Sequence, residues 1–447
     1  MRPKKYSLTI SKKIKSFKKK IIVDSDKSIS IRSLLIGSIS QGISIIHNIL
    51  ESEDIHSTIF CLKKLGIIIK KTNGGTYKVF GKGLGSLRLN SFGRLNLGNS
   101  GTLARLLTGI LTTTPNIKVL LSGDKSLNKR NMKKLIILMN KFGAEFEPKN
   151  KYNFPLKLIS SDYPVGIKYE SGASAQLKSA VILAGLNSYG QTIISEKKFS
   201  RDHTEIMLAN NKRSIKIKSQ KEKIILVNGK NFLDNFKIKV PGDPSSAAFF
   251  TALTLLNKNS ELRISNVGLN PTRIGFYNLL KKNGAKINFS NLRKVNNEKV
   301  GDIIVKSSNL KPIKASSNFY MNTTDEYPIL FVISSLIDGV SNYHGINDLM
   351  NKESDRIKEM QKILKQVGIR SVYKNDTLKI FGKSSLSIEG KKISVPNLGD
   401  HRICMSATIL ALITGIKTII KNFETVNTSS PNFLKKINSL GGKFEKK

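Results

Sequence analysis

One arrangement of polar and apolar positions returns six times along the chain. Small, polar or charged residues come first, and an apolar stripe at helical spacing follows. The six stretches are "DKSISIRSLLIGSIS" from Asp26, "GNSGTLARLLTGIL" from Gly98, "GASAQLKSAVILAGL" from Gly172, "GDPSSAAFFTALTLL" from Gly242, "TDEYPILFVISSLIDG" from Thr324 and "GDHRICMSATILALITG" from Gly399. Past the first turn these helices are apolar almost all round, which predicts burial among sheets. A second pattern lies between them. "MKKLIILMNKFGAEF", "TRIGFYNLLKKNGAKINF" and "RIKEMQKILKQVGIRSVY" each read as an amphipathic helix, a glycine near its C-cap and then a strand. "LRISNVGL" and "DIIVKSS" are rich in β-branched residues and predict strands. The repeat is about 75 residues long, too large for a solenoid unit, so each copy holds several elements. Six copies in 447 residues predict an α/β chain of two domains with three units each.

The openings of the six helices carry the candidate chemistry. The first turn of a helix has unpaired amides and a partial positive charge, which suits an anion. In "LGNSGTLARLLTGIL", residues 97–111, Gly98, Asn99, Ser100, Gly101 and Thr102 present backbone and hydroxyl groups, and Arg105 interrupts the apolar face. N-capping accounts for any one such stretch taken alone. It accounts less well for six of them accompanied by Lys27, Arg32, Arg105, Lys178, Lys352, Arg356 and Arg402. Arginine suits bidentate grips on phosphate or carboxylate. Asp325, Glu326, Glu353 and Asp355 stand among these cations. "NKESDRIKEM" places Lys352, Glu353, Asp355 and Arg356 together at a helix start, where cations oppose the dipole unless an anion is bound. The pattern points to a doubly anionic substrate and acid–base chemistry.

Composition narrows the classes. The net charge of +44 admits a nucleic-acid partner, an anionic membrane or small anionic substrates. Lys, Ile and Asn recur everywhere, and only "SKKIKSFKKKII", residues 11–22, is dense in lysine. The charge therefore reads as a bias of the whole composition, with that run a solvated face. Cys61 and Cys404 form no CxxC, and the five histidines form no metal-ligand motif, so neither a metal nor a disulfide framework is expected. The N-terminus lacks the apolar region of a secretory signal. The longest apolar run, "ICMSATILALITGI", ends before Lys417, short of the ~20 residues that span a bilayer. A soluble cytoplasmic protein is expected.

The motifs "DKSISIRSLL", "GNSGTLARLL", "SAQLKSAVILAGL", "RDHTE", "PGDPSSAAFF", "DEYPIL", "KESDRI" and "GDHRICM", in this order from about Lys18 to Phe433, resemble the 5-enolpyruvylshikimate-3-phosphate synthase family. "GDKS", "SAQLK", "RDHTE" and "NPTR" are similar to its class II branch. The resemblance implies a two-domain inside-out α/β barrel, each domain built of three βαβαββ-like units with buried parallel helices. It implies two crossings of the chain, with residues 1–23 and 240–447 in one domain and 24–239 in the other, and closure of the two over the substrates. It also implies transfer of the enolpyruvyl group of phosphoenolpyruvate to the 5-hydroxyl of shikimate 3-phosphate, by a monomer without cofactor. Position by position, Lys27, Ser28, Arg32, Ser174, Ala175, Gln176, Arg201, Asp325 and Lys352 match residues that hold shikimate 3-phosphate. Lys27, Asn99, Gly101, Arg130, Gln176, Arg356 and Arg402 match those that hold phosphoenolpyruvate. Asp325 matches the base for the 5-hydroxyl, and Glu353 and Lys27 the groups that move a proton at the methylene carbon. "NTSSPNF" near the C-terminus lacks a lysine that some members place there, and Asn351 stands before Lys352 where an aliphatic residue is commoner. Two other readings are weaker. The related UDP-N-acetylglucosamine enolpyruvyl transferases need a reactive cysteine on a mobile loop, and neither Cys61 nor Cys404 lies in a Gly-rich loop. A nucleic-acid-binding protein would need an aromatic-basic platform, which the chain lacks.

Overall fold

The computed structural model describes residues 5–72, 75–89, 93–219 and 221–447. Its contacts divide the chain into two units. The first comprises Met1–Asp24, Pro241–Lys294 and Lys299–Lys447; the second comprises Ser25–Val240 with Val295–Glu298. The described residues form six four-stranded sheets.

One repeat illustrates the rest. The strand Gly93–Asn96 leads into the helix Gly101–Thr112 and returns as Lys118–Ser122, parallel to the first strand. The helix Lys133–Asn140 follows, and then an antiparallel pair, Glu145–Glu147 and Leu156–Ile159. The last strand lies antiparallel to Lys118–Ser122, with Leu121 opposite Leu156 and Val119 opposite Leu158. These four side chains are all buried, so the alternation along the strands gives the sheet one apolar face. Apart from the short helix Lys125–Lys129, the order is βαβαββ, as the resemblance implies.

Two repeats borrow their first strand from elsewhere in the chain. Lys18–Ile21 precedes the helix Lys27–Ile39 in sequence, yet it pairs in parallel with Glu261–Gly268 in the first unit. Lys237–Lys239 precedes the helix Pro244–Leu256, yet it pairs in parallel with Gln41–His47 in the second. The strand Leu8–Ile10 completes another sheet of the first unit, between Lys417–Ile420 and Glu445–Lys446. The dense lysine run also finds its place here. Lys18, Lys19 and Lys20 are exposed on an edge strand, where lysine discourages pairing with another chain.

The six repeated helices are buried as their patterns predict. Pro244–Leu256 is buried from Pro244 to Leu255, and His401–Thr414 from His401 to Ile413. The amphipathic helices bury one face only, as Arg356–Gln366 does with Ile357, Met360, Ile363 and Leu364. Past the ends of two of them, Gly284 and Gly368 take φ of +93° and +81°, the left-handed conformation that a helix stop of this kind requires.

In the second unit the helices Gly101–Thr112 and Ala175–Gly185 pack backbone to backbone. A Cβ on Gly109 would lie 2.5 Å from the carbonyl oxygen of Ala180 and 2.9 Å from its Cα. Only a backbone shift makes room, so Gly109→Ala is expected to cost about 1–3 kcal/mol in urea unfolding. Gly172→Ala, whose Cβ meets nothing within 4 Å, is the control and is expected to be near neutral. Equal stabilities would mean that the two helices do not pack this closely.

Candidate active site

Polar side chains link the starts of three buried helices in the second unit. Asp26, Ser100 and Ser174 cap them, accepting from the amides of Ile29, Leu103 and Leu177. Arg105 Nη1 donates to Gln176 Oε1 at 2.8 Å, and Gln176 Nε2 donates to Thr102 Oγ1 at 3.0 Å. These two bonds join the first turns of two helices. Arg32 is buried, and it donates to Ser28 O, to Ser179 Oγ and, through Nε at 2.8 Å, to Thr204 Oγ1. Lys27 Nζ lies 3.1 Å from Asp54 Oδ2 and is 17% exposed, so its ammonium is paired yet reachable. Arg130 Nη2 donates to Asn99 Oδ1 at 2.8 Å, and Asn99 in turn donates to Asp124. Gly101 leaves the space these guanidinium groups use. A Cβ there would fall 2.7 Å from Arg130 Nη1 and 2.9 Å from Arg105 Nη1. Lys27, Ser28, Arg32, Asn99, Gly101, Ser174, Ala175 and Gln176 therefore stand at or just inside the linked helix starts, and Arg130, at the end of the short helix Lys125–Lys129, reaches them through Asn99. Arg201 lies on the segment just before the short helix His203–Leu208, whose Thr204 meets Arg32.

The first unit holds a second group. Arg356 opens the helix Arg356–Gln366 and is almost wholly buried. Its Nε donates to Asp400 Oδ2 at 2.9 Å, and its Nη2 donates to Glu353 Oε2 at 2.6 Å. Its Nη1 lies 3.9 Å from Asp325 Oδ1 and makes no hydrogen bond among the described residues. Burial alone would lower the Arg356 pKa, but Asp400, Glu353 and Asp325 outweigh it and raise it, so the guanidinium stays charged. Asp400 caps the helix His401–Thr414 through the amide of Arg402, and it also accepts from Ser354 Oγ. Arg402 is buried, with Nε and Nη1 lacking hydrogen-bond partners among the described residues. Asp325 is 26% exposed and Glu353 16%. Lys352 pairs with Asp348, which also accepts from Tyr320 Oη at 2.6 Å. Burial, with Asp348 and Asp325 nearby, drives the Tyr320 phenol well above its usual range, so it serves as a hydrogen-bond donor.

Four sequence readings need correction. Lys178 was expected among the cations of the cleft, but it is fully buried against Glu196 and Glu205. Asp355 caps its helix through Lys358 N and faces no cation grip. Glu326 is buried and accepts from Ser245 Oγ. The cations at the start of the Arg356 helix are matched in charge by Asp400, Glu353 and Asp348, so an anion is not needed to offset the helix dipole, and what is left for one is the hydrogen-bond site at Arg356 Nη1. Residues that pattern reading missed include Asp54, Asp124, Asp348 and Asp400. Asp400 was visible inside "GDHR" as an N-cap, but its grip on Arg356 joins positions 44 residues apart. In "NTSSPNF", Ser430 and Asn432 bind Asp24.

Comparison with known proteins decides the family. The family model for EPSP synthase (3-phosphoshikimate 1-carboxyvinyltransferase) matches residues 11–437. The chain belongs to the EPSP synthase family. It is 36% identical to the 3-phosphoshikimate 1-carboxyvinyltransferase of Paramagnetospirillum magneticum over 425 residues, 94% of each chain. It is 39% identical to that of Petrotoga mobilis over 417 residues, 92% of this chain and 94% of the relative. An EPSP synthase structure from Acinetobacter baumannii superposes with a TM-score of 0.84 at 34% identity, covering 99% of this chain and all of that one. The enolpyruvyl transferase NikO from Streptomyces tendae shares the fold, with a TM-score of 0.76 at 14% identity. Among the described residues, no cluster of His, Cys, Asp or Glu is placed to hold a metal, and no helix is long and apolar enough to cross a membrane.

The buried acid behind Arg356 yields a stability test. Asp400→Asn keeps an acceptor but removes the charge that faces Arg356. It is expected to cost about 3 kcal/mol in urea unfolding, against about 1 kcal/mol for Ser354→Ala, which removes one hydrogen bond. Equal losses would show that Glu353 and Asp325 suffice to hold the guanidinium.

Proposed function

We propose that the chain is a transferase that moves the enolpyruvyl group of phosphoenolpyruvate to the 5-hydroxyl of shikimate 3-phosphate and releases phosphate. One observation in the geometry carries this reading. Arg356 Nη1 and Arg402 Nε and Nη1 are buried donors that lack hydrogen-bond partners among the described residues. Such donors are costly unless a ligand meets them, and a carboxylate or phosphate is the group they fit. Membership of the EPSP synthase family supplies the identity of the anions.

The substrates and products fix the bonds. The 5-hydroxyl oxygen must bond to C2 of phosphoenolpyruvate, and the C2–O bond to phosphate must break. C3 gains a proton as the oxygen adds and loses one as phosphate leaves. In our reading Ser28, Arg32, Ser174, Ala175, Gln176 and Arg201 hold shikimate 3-phosphate, with Lys27 and Lys352. Asn99, Gly101, Arg130, Gln176, Arg356 and Arg402 hold phosphoenolpyruvate, again with Lys27. Asp325 takes the hydroxyl proton. Its partial exposure and its place beside Arg356 support a carboxylate that a substrate can reach. Glu353 and Lys27 are the groups that move the proton at C3. Glu353 is anchored by Arg356, and Lys27 Nζ is paired with Asp54.

The competing readings find less support. Burial pushes the Cys61 thiol up to about 12 and the Cys404 thiol higher still, which suits inert cysteines rather than the reactive one of the UDP-N-acetylglucosamine transferases. Exposed lysines are spread over strands and helices of both units, which favours small substrates over nucleic acid. The proposal includes a monomer acting in the cytoplasm without a cofactor. A coupled assay for phosphate release, run with and without shikimate 3-phosphate, tests the reaction. Release that does not depend on shikimate 3-phosphate would overturn it.

Two sets of variants test the roles. Asp325→Asn is expected to keep both substrates bound and to lower kcat by roughly 100-fold or more. A near-normal kcat would remove Asp325 from the chemistry. Arg130→Ala and Arg402→Ala are each expected to weaken phosphoenolpyruvate binding by about 2–5 kcal/mol, measured by titration of the binary and ternary complexes. If only shikimate 3-phosphate binds more weakly, the two subsites have been exchanged.

A further inference from the structure

Beside the Arg201 segment lies a cluster of buried charge that the proposed chemistry does not use. Lys178 stands on the helix Ala175–Gly185 with no exposed surface. Its Nζ lies 2.9 and 3.0 Å from the two carboxylate oxygens of Glu196 and 2.7 Å from Oε1 of Glu205. Glu196 ends the strand Gln191–Glu196, and Glu205 lies on the helix His203–Leu208; both are buried. One ammonium therefore ties a helix and a strand to the helix that follows residues 197–202. Burial alone would lower the Lys178 pKa, but Glu205 and Glu196 outweigh it and raise it, so the lysine remains charged. Three charges buried together weigh against stability unless each is matched, so the cluster is a poor choice for stability alone.

Its contacts converge on the neighbours of Arg201. Glu196 Oε1 accepts from Ser200 N at 2.8 Å and from Ser200 Oγ at 2.5 Å. Lys178 Nζ also reaches Ser200 O at 3.5 Å. Lys223, opposite Glu196 in the sheet register, lies 3.7 Å from Glu196 Oε2 and 3.8 Å from Asp202 Oδ2. The same ammonium sits over the Phe199 ring, 5.1 Å from its centroid. Residues 199, 200 and 202 are thus held by groups rooted in regular elements. Beyond them, Thr204 accepts from Arg32 Nε and donates to Ser179 Oγ, next to Lys178.

We propose that Glu196 and Lys178 are positioning residues for shikimate 3-phosphate, acting through Arg201. They touch no substrate. They hold the backbone on both sides of Arg201 in one conformation, so the guanidinium is ordered before the anion arrives and binding does not have to order it. The proposal rests on the assignment of Arg201 to that substrate.

A double-mutant cycle on the whole enzyme tests it, with Glu196→Gln, Arg201→Ala and the combination. The readouts are KM for each substrate, kcat and Tm. Glu196→Gln keeps the shape and an acceptor oxygen. It is expected to raise KM for shikimate 3-phosphate about tenfold and to leave KM for phosphoenolpyruvate and kcat within about twofold. In the Arg201→Ala background it is expected to change neither KM further. Should Glu196→Gln not fold, Ser200→Ala carries the same cycle with a smaller expected rise. Additive effects in the double variant, or parallel changes in both KM values, would overturn the proposal. So would an unchanged KM in Glu196→Gln beside a raised one in Arg201→Ala. An unchanged KM in Arg201→Ala itself would instead overturn the substrate assignment, and the proposal with it.

Discussion

A helix that is apolar on every side must be buried on every side, and that constraint shapes each unit. Pro244–Leu256 and His401–Thr414 have no face left for solvent. Sheets can enclose such helices while pairing their own backbone groups, and here four-stranded sheets recur beside the apolar helices. Enclosure leaves the first-turn amides as the exposed end of the problem. Side-chain oxygens of Asp26, Ser100, Ser174, Asp243 and Asp400 meet part of that demand. The remaining amides and the partial charge make each group of helix starts a natural anion site.

Charge placed at buried helix starts needs partners, and the partners sort the cations by role. Lys178 is surrounded by Glu196 and Glu205 and has no surface to offer, so its work is internal. Arg356 is as deeply buried, but its Nη1 has no hydrogen bond among the described residues, and neither have two nitrogens of Arg402. The first faces only carboxylates of its own unit; the second leaves donors that, in the proposed function, an anion meets. The difference lies in the donors left over, because all three residues carry the same formal charge.

The exchange of strands has a related cause. Lys18–Ile21 and Lys237–Lys239 each lie beside the strand that follows a buried helix in another part of the chain. Each repeat needs a parallel strand beside the one that follows its helix, but that strand need not come from the same stretch of sequence. Ladder hydrogen bonds depend on register and direction, not on chain continuity.

The sequence by itself determined the repeat, the buried helices, their caps and the family. Those features depend on local periodicity and on residue types at short spacing, which the chain displays directly. It also brought Lys27, Arg32, Gly101, Arg356 and Arg402 into view, because each stands within a turn or so of a helix start, and Gln176 through the family resemblance. Tertiary structure alone decided which charges oppose which. Asp400 meets Arg356 across 44 residues, Arg105 meets Gln176 across 71, and Arg32 meets Thr204 across 172. No local pattern records such pairs, since they arise only when separate helices are packed with their starts together. That is why Lys178 read as a ligand-facing cation and proved to be an internal one: its two carboxylates arrive from a strand and a helix that its own sequence neighbourhood does not contain.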